Sequence, residues 1–468
     1  MTDLLRFDLS GGAGATETAS RQVTRRGFAN VALDQPGSPN RRGGLRLAAI
    51  PAVDSPARTR DLLLDAVRGL SLLVVVLGHW LIGALAFTDA SGSRPVLTEA
   101  SVMTANPWAA PVTWLVSVLG LFFFIGGRLS AESWSRAGGQ GGWSWFGRRL
   151  IRLSKPLTMA VWPVAFVALL LGLAGLPPAD LALAGKLLVQ PLWFLGVYAL
   201  LTAATPGLVW LDRHWRWGAP VAMAAAVALI DFWRFGPLPA PPWIGWLALA
   251  PGWTLAYQLG LAWAGRPWTR GLRLGLLAGG AAGTVLCWTV LGYPTLMLAG
   301  GAGVSRPTIH PPTLVMLALM TMAIGAFVTW ERPLRRWFGA EATPTAMSPG
   351  GARLPALPIT EPTDSAVTRV TRKPSHLVVL VSRINHSAVQ VLALHQATAL
   401  LPVLAVAIVA PGLAIPGLTA VPDGPGWLLA RLAWLPVFAA VLVGALRLTS
   451  RARRDPPPPS TREHAITR

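Results

Sequence analysis

The chain has 468 residues, of which 53% are hydrophobic and only 13% are charged, and its mean hydropathy is +0.50. These values exclude an ordinary soluble globular protein of this length and indicate a polytopic membrane protein. The formal net charge of +20 would suit a nucleic-acid partner, but the basic residues fall between apolar runs and form no basic and aromatic stripe. We therefore predict a lipid bilayer, and no nucleic acid, as a partner.

In chain order, residues 1–60 contain no apolar segment typical of a cleavable signal peptide and are interpreted as a disordered basic cytoplasmic tail. Apolar windows of about twenty residues then predict an all-α membrane domain of about ten helices, eight in 61–334 and two in 375–447. We interpret 335–374 as a mobile cytoplasmic loop and 448–468 as a disordered tail. The predicted spans are 62–86, 109–131, 157–175, 187–209, 218–233, 243–264, 271–291, 312–330, 387–411 and 427–446.

The distribution of Lys and Arg predicts the orientation of these spans. With the N-terminus placed in the cytoplasm, 33 basic residues fall on the cytoplasmic side and four on the other, while Arg68, Arg128 and Arg431 fall within spans. Such a bias is typical of the positive-inside rule. We therefore predict a multi-pass protein of the cell membrane with both termini in the cytoplasm.

The first span carries three ionisable residues, Asp65, Arg68 and His79. Ionisable groups within a membrane helix are costly, so they indicate a functional site. Arg68 and His79 are eleven positions apart, which places them on nearly the same helix face and roughly 16 Å apart along the axis. Asp65 precedes Arg68 by three residues, where its carboxylate can hold the guanidinium. The structural alternative is a His79 that bonds a neighbouring helix and an Arg68 that reaches the lipid headgroups.

Five stretches in order resemble acyltransferase family 3. LLLDAVRGLSLLVVVLGHW contains the family's Arg–x10–His pair as Arg68 and His79, and LFFFIGGRLSAESW resembles its Phe-Phe-x-x-Ser-Gly segment, with Gly126 in the Ser position. The other three are GRRLIRLSKPL, similar to the family's basic run; QPLWFLGVYALLTAATP, similar to its Trp-Phe-Leu span; and RINHSAVQVLALHQATA, similar to its late helix, with Leu392 for Tyr and His395 for His.

The resemblance implies a membrane enzyme that moves an acyl group, often acetyl from acetyl-CoA, to a hydroxyl of a carbohydrate, envelope or secondary-metabolite acceptor. It also implies that the Arg–x10–His pair is essential. We assign His79 as the base, Arg68 as the group that either orients the donor or stabilises developing negative charge, and Asp65 as the support of Arg68. A variant has an imidazole carry the acyl group transiently. The Ala-, Gly- and Arg-rich composition suggests a bacterial source.

Other cations are candidates for binding the acyl-CoA donor: Arg128 at the inner end of the second span, and Arg149 and Arg152 before the third. Their guanidinium groups match phosphate oxygens, although fixing topology or reaching headgroups explains them too. For the acceptor we assign Trp193 and His395. His395 either lines the same cavity or bonds across helices.

Metal and nucleotide-triphosphate chemistry lack support in the sequence, which has no HExxH motif and no GxxxxGK[ST] loop. Two other functions stay open. A transporter or flippase of an acylated or lipid-linked molecule would also use buried charge, although no repeat symmetry is visible. A membrane scaffold would need neither Arg68 nor His79.

Overall fold

The computed structural model describes residues 61–88, 95–116, 118–138, 141–237, 239–297, 307–337, 385 and 387–451. The predicted N-terminal tail, nearly all of the 335–374 loop and most of the C-terminal tail lie outside these residues. The elements are α1 (Leu62–Ile82), β1 (Gly83–Thr88), β2 (Val96–Ser101), α2 (Val102–Ala105), α3 (Val112–Val116), α4 (Leu119–Arg136), α5 (Gly142–Leu173), α6 (Pro178–Val189), α7 (Leu192–Trp215), α8 (Gly218–Phe235), α9 (Leu249–Gly265), α10 (Arg270–Thr289), α11 (Leu314–Trp337), α12 (Ala388–Val409) and α13 (Pro425–Arg451).

Each of the ten predicted spans contains a helix, which confirms an all-α polytopic membrane protein. Eight helical stretches in the described part of the chain are long and apolar enough to cross a bilayer: α1, α4 with the short helices before it, α6 with α7, α8, α10, α11, α12 and α13. The other two predicted spans correspond to α5 and α9. The helix α5 begins with a basic segment, and α9 has only 17 residues, so their crossing of the membrane stays a prediction.

The end of the first span differs from the prediction. The helix α1 stops at Ile82 because Gly83 has an extended backbone (φ −70°, ψ 119°), and the predicted helical residues 83–86 belong to β1. The strands β1 and β2 form an antiparallel hairpin, with Gly83 opposite Ser101 and Thr88 opposite Val96. This hairpin therefore covers the end of α1 that carries His79.

The buried side chains form two main clusters, and α1 belongs to both. Leu63, Leu64 and Ala66 pack with residues of α4, α8, α9 and α11. Further along α1, Leu72, Val76 and Trp80 pack with the hairpin, α6, α12 and α13. The helix that carries Arg68 and His79 therefore lies between two groups of helices, where a cavity can form.

Ion pairs and hydrogen bonds group the helix ends into two sets. The start of α1 is joined to the end of α11 by Asp61 and Arg335 at 2.9 Å, and the ends of α7 and α9 by Asp212 and Arg266 at 2.9 Å. At the opposite end, Asp231 of α8 accepts hydrogen bonds from the Tyr293 hydroxyl and the Leu314 amide. Every one of these contacts joins ends that the predicted spans place on the same side of the membrane.

Close packing of α4 on α9 requires glycine. A Cβ atom on Gly260 would overlap the carbonyl group of Phe124, and one on Gly127 would overlap that of Tyr257. Small residues let two helix backbones approach closely within a membrane. The GG pair at 126–127 therefore has a packing reason as well as a place in the family's segment.

We predict that Gly260→Ala lowers the free energy of unfolding by about 2–3 kcal/mol, because the added methyl group forces the two backbones apart. The measurement is thermal unfolding of the purified protein in detergent. The matched control is Gly271→Ala in the first turn of α10, where a Cβ atom meets nothing within 4 Å. Equal melting temperatures for the two variants would contradict the packing of α4 on α9.

The predicted orientation of the chain can be tested by chemical labelling of single cysteines placed on either side of the membrane. Cys287 is the only cysteine and is buried, so Cys287→Ala supplies a background without thiols. In intact cells, a membrane-impermeant maleimide should label Lys186→Cys but label Arg270→Cys only after permeabilisation. The reverse pattern would overturn the predicted orientation.

Candidate functional site

Two histidines from helices far apart in sequence meet at the centre of the site. Nδ1 of His79 in α1 lies 2.7 Å from Nε2 of His395 in α12, and the planes of the two rings are nearly parallel, with 15° between them. The indole nitrogen of Trp80 donates to the carbonyl oxygen of His395 at 2.8 Å. These two contacts join α1 to α12 at the level of His79.

The hydrogen bonds of His395 determine which ring nitrogens carry protons when both rings are neutral. Nδ1 of His395 lies 2.8 Å from the carbonyl oxygen of Leu392, which only accepts, so this nitrogen carries the proton. Nε2 of His395 then has a lone pair and accepts a hydrogen bond from Nδ1 of His79. Nε2 of His79 is therefore left unprotonated, as a base requires.

A cavity of about 270 Å³ lies beside His79. Its walls come from the second half of α1, both strands of the hairpin and the length of α12 from Leu392 to Val403. The starts of α4, α7, α11 and α13, the end of α6 and the segments around Met297 and Ile309 complete them. Most of the lining is aliphatic or aromatic, and the polar or charged side chains in it are Ser71, His79, Glu99, Ser101, Gln190, Gln396 and Arg431. The site therefore suits a ligand with an apolar body and a few polar groups.

His395 is not among the residues that line this cavity; it is fully buried behind His79. Of the two alternatives that the sequence left open, the structure supports the bond across helices. Trp193 does line the cavity, and its ring lies 4.4 Å from that of His310. Burial lowers the pKa of His310, so this ring adds no charge near neutral pH.

Arg68 lies on the same face of α1 as His79, toward the other end of the helix. Its guanidinium carbon is 5.3 Å from the ring centre of Phe122, which itself lines the cavity. Nε of Arg68 is buried and has no hydrogen-bond partner among the described residues. The site thus has an imidazole in its wall and a guanidinium beyond Phe122.

The predicted support of Arg68 by Asp65 stays a prediction. The structure adds a second partner for this carboxylate: Oδ1 of Asp65 accepts a hydrogen bond from the side-chain amide of Asn385 at 2.7 Å. Asp65 therefore connects α1 to a residue that lies three positions before α12.

The three cations predicted to bind the donor differ in their surroundings. Arg128 pairs with Glu132 at 3.0 Å and stacks on Trp263 at 3.8 Å. Arg152 is exposed and donates to the carbonyl oxygen of Arg148 on its own helix. Arg149 stacks on Trp145 at 4.7 Å, and its Nη1 is buried without a hydrogen-bond partner among the described residues. Of the three, Arg149 therefore has the hydrogen-bond donor that is most available to a ligand.

The two departures from the family's segments lie in different places. Leu392 lines the cavity, so an apolar group stands where the family has a Tyr. Gly126 lies against Tyr198, whose ring carbon would be 2.8 Å from a Cβ atom at that position. Leu392 therefore bears on the shape of the cavity, whereas the space beside Gly126 is taken by Tyr198.

Sequence reasoning missed several polar residues of the cavity wall, namely Gln190, Gln396 and Arg431. Arg431 had a usable signal, because it is one of the few cations within a predicted span. The two glutamines had none, since amide side chains near span ends are common. In the part of the chain that the structure describes, no group of three His, Cys, Asp or Glu side chains could hold a metal ion.

Comparison with known proteins supports a family assignment. The profile of acyltransferase family 3, described as an acyltransferase domain, matches residues 61–351, which is more than half of the chain. No curated protein and no solved structure matches. The matched region includes the whole of α1 with its Arg–x10–His pair, as well as the segments around Gly126 and Arg149. The chain therefore belongs to acyltransferase family 3 and is a multi-pass membrane acyltransferase.

Proposed function

We propose that this enzyme transfers an acyl group from acyl-CoA to a hydroxyl group of an acceptor bound in the cavity beside His79. One observation carries the proposal: His79 lines the cavity, and the proton on its Nδ1 is held by His395. A nitrogen with a free lone pair is thus available where an acceptor hydroxyl would lie. General bases of this kind contribute about 10²–10⁴-fold to a rate.

The reaction needs no group besides the donor, the acceptor and the imidazole. Nε2 of His79 removes the proton of the acceptor hydroxyl as the oxygen attacks the thioester carbonyl. A C–O bond forms, the C–S bond breaks, and the CoA thiolate leaves and takes the proton from His79. His395 keeps the ring of His79 in the required tautomer and orientation throughout.

The position of Arg68 supports entry of the donor from the end of α1 opposite the hairpin. Arg68 and His79 are separated by roughly 16 Å along the helix axis. The pantetheine arm of CoA, from phosphate to sulfur, has about thirteen bonds and extends over roughly 15 Å at the rise per bond of an extended chain. A CoA phosphate at Arg68 would therefore bring the thioester to His79.

The basic side of the protein supplies further cations for the remainder of the donor. The buried, unpartnered Nη1 of Arg149 makes this residue the best candidate for a second phosphate contact. Arg128 is a weaker candidate because its charge is neutralised by Glu132. Arg152 is also weaker, because its side chain donates to a carbonyl oxygen of its own helix. We thus propose that the donor is an acyl-CoA and that the acyl group is acetyl.

The acceptor side supports a hydroxyl compound with an apolar body. Leu392 and the other aliphatic residues of the cavity wall favour such a body, and Trp193 offers a ring for a flat or sugar-like part. Family membership favours transfer over the transporter alternative, since a transporter needs no thioester chemistry.

We predict that purified wild-type protein releases CoA from acetyl-CoA when a suitable acceptor is present, as measured by free thiol. His79→Ala should lower kcat by about 10²–10⁴-fold, because the proton acceptor is lost. Arg68→Ala should raise the KM for acetyl-CoA, because a phosphate contact is lost. Arg213→Gln, at an exposed position, is the control and should leave both constants unchanged.

Full activity of His79→Ala would refute a role of this imidazole in catalysis. Uptake of a candidate acceptor into vesicles, without thiol release for any acceptor, would instead favour transport. A radiolabelled acyl-protein that forms in wild type and is lost in His79→Ala would favour the acyl-imidazole variant over direct transfer.

We predict that the tautomers of the histidine pair are visible by ¹⁵N NMR of histidine-labelled protein in proteoliposomes. In wild type, Nδ1 of both rings should be protonated and the nitrogen pair should show N–H···N coupling. His395→Ala should move the proton of His79 toward Nε2, because the acceptor for Nδ1 is gone. His214→Ala, an exposed ring, is the control, and an unchanged His79 signal in His395→Ala would contradict the pairing.

A further inference from the structure

A buried arginine of α13 binds the end of the helix that carries His79. Nε of Arg431 donates to the carbonyl oxygen of Trp80 at 2.6 Å, and Nη2 donates to that of Gly83 at 2.7 Å. Nη1 donates to the carbonyl oxygen of Gly417 at 2.9 Å. The last carbonyl groups of a helix lack partners within it, so Arg431 satisfies one of them and fixes the exit of the chain into β1.

This guanidinium is unusual because it is charged and buried, yet has no carboxylate partner among the residues that the structure describes. Arg431 is only 4% exposed, and none of the ion pairs among the described residues includes it. Its surroundings are three carbonyl oxygens and the rings of Trp427 and Phe438, with its carbon 4.8 Å from the centre of the Phe438 ring. The negative end of the α1 dipole favours a cation here, but a buried charge remains costly.

Contacts of Trp80 connect Arg431 to the histidine pair. The carbonyl oxygen of Trp80 accepts from Arg431, and its indole nitrogen donates to the carbonyl oxygen of His395. His395 in turn accepts from His79. A shift of the last turn of α1 would therefore move His79 and its partner relative to each other.

We infer that Arg431 is a positioning residue for His79: by binding the carbonyl groups at the end of α1, it holds the imidazole pair in register beside the cavity. This inference rests on the proposed function. The role depends on shape, because the planar guanidinium reaches three carbonyl groups at once and the compact lysine ammonium does not. The positive charge alone is therefore insufficient.

The test uses the full-length protein with Arg431→Lys, which keeps the charge and loses the fork. We expect kcat for CoA release from acetyl-CoA to fall about 10²-fold, since misplacement by about 1 Å has such a cost. The KM for acetyl-CoA should stay within about twofold, because the Arg68 end of α1 is not touched. Arg270→Lys, at an exposed position, is the matched control and should change neither constant.

A second pair of variants guards against simple unfolding. Trp80→Phe keeps an aromatic ring at this buried position but loses the indole N–H that donates to the carbonyl oxygen of His395, and it should lower kcat in the same direction. In Arg431→Ala, added guanidinium ion should restore part of the activity by binding the vacated carbonyl groups, whereas methylammonium should not.

The ¹⁵N signals of His79 and His395 separate this inference from the proposed function, because they need no acceptor. In Arg431→Lys the N–H···N coupling should weaken or vanish. Wild-type kcat in Arg431→Lys, or lost activity with an unchanged histidine signal, would overturn the positioning role. Absence of CoA release by wild type with every acceptor would instead count against the proposed function, and the histidine signal would still decide the role of Arg431.

Discussion

The hydrogen bond between His79 and His395 is the interaction on which the site depends. An imidazole within a membrane helix needs a polar partner, and a second imidazole supplies one without adding charge. Because Nδ1 of His395 is committed to the Leu392 carbonyl oxygen, the direction of the bond is determined. The tautomer of His79 thus follows from backbone geometry in a different helix.

The position of α1 between two groups of helices supports the proposal that one helix serves both substrates. Its first half packs with α4, α9 and α11, and its second half packs with the hairpin, α12 and α13. Arg68 and His79 lie in these two halves. Donor and acceptor would therefore approach the same helix from opposite ends, with Phe122 between them.

The partners of the arginine side chains differ between the ends of the helices and the interior. At the ends of the helices, Arg335 and Arg266 pair with carboxylates, which suits residues near water. Deep beside the cavity, the hydrogen bonds of Arg431 within the described part of the chain all go to backbone carbonyl oxygens. A carboxylate there would neutralise the cation, whereas carbonyl groups satisfy its hydrogen bonds and leave its charge in the cavity wall.

The sequence by itself determined the all-α polytopic membrane architecture, the approximate positions of most of its helices, the family, and the shared face of Arg68 and His79. These features depend on apolar run length, on loop charge and on the helical period, which are all local properties. The tertiary structure alone decided that His395 is the partner of His79, since 316 residues separate them. It also decided that Asp65 bonds Asn385 and that Arg431 holds the end of α1. Such pairings depend on which helices pack against each other, and a local sequence pattern does not indicate which helices will be neighbours.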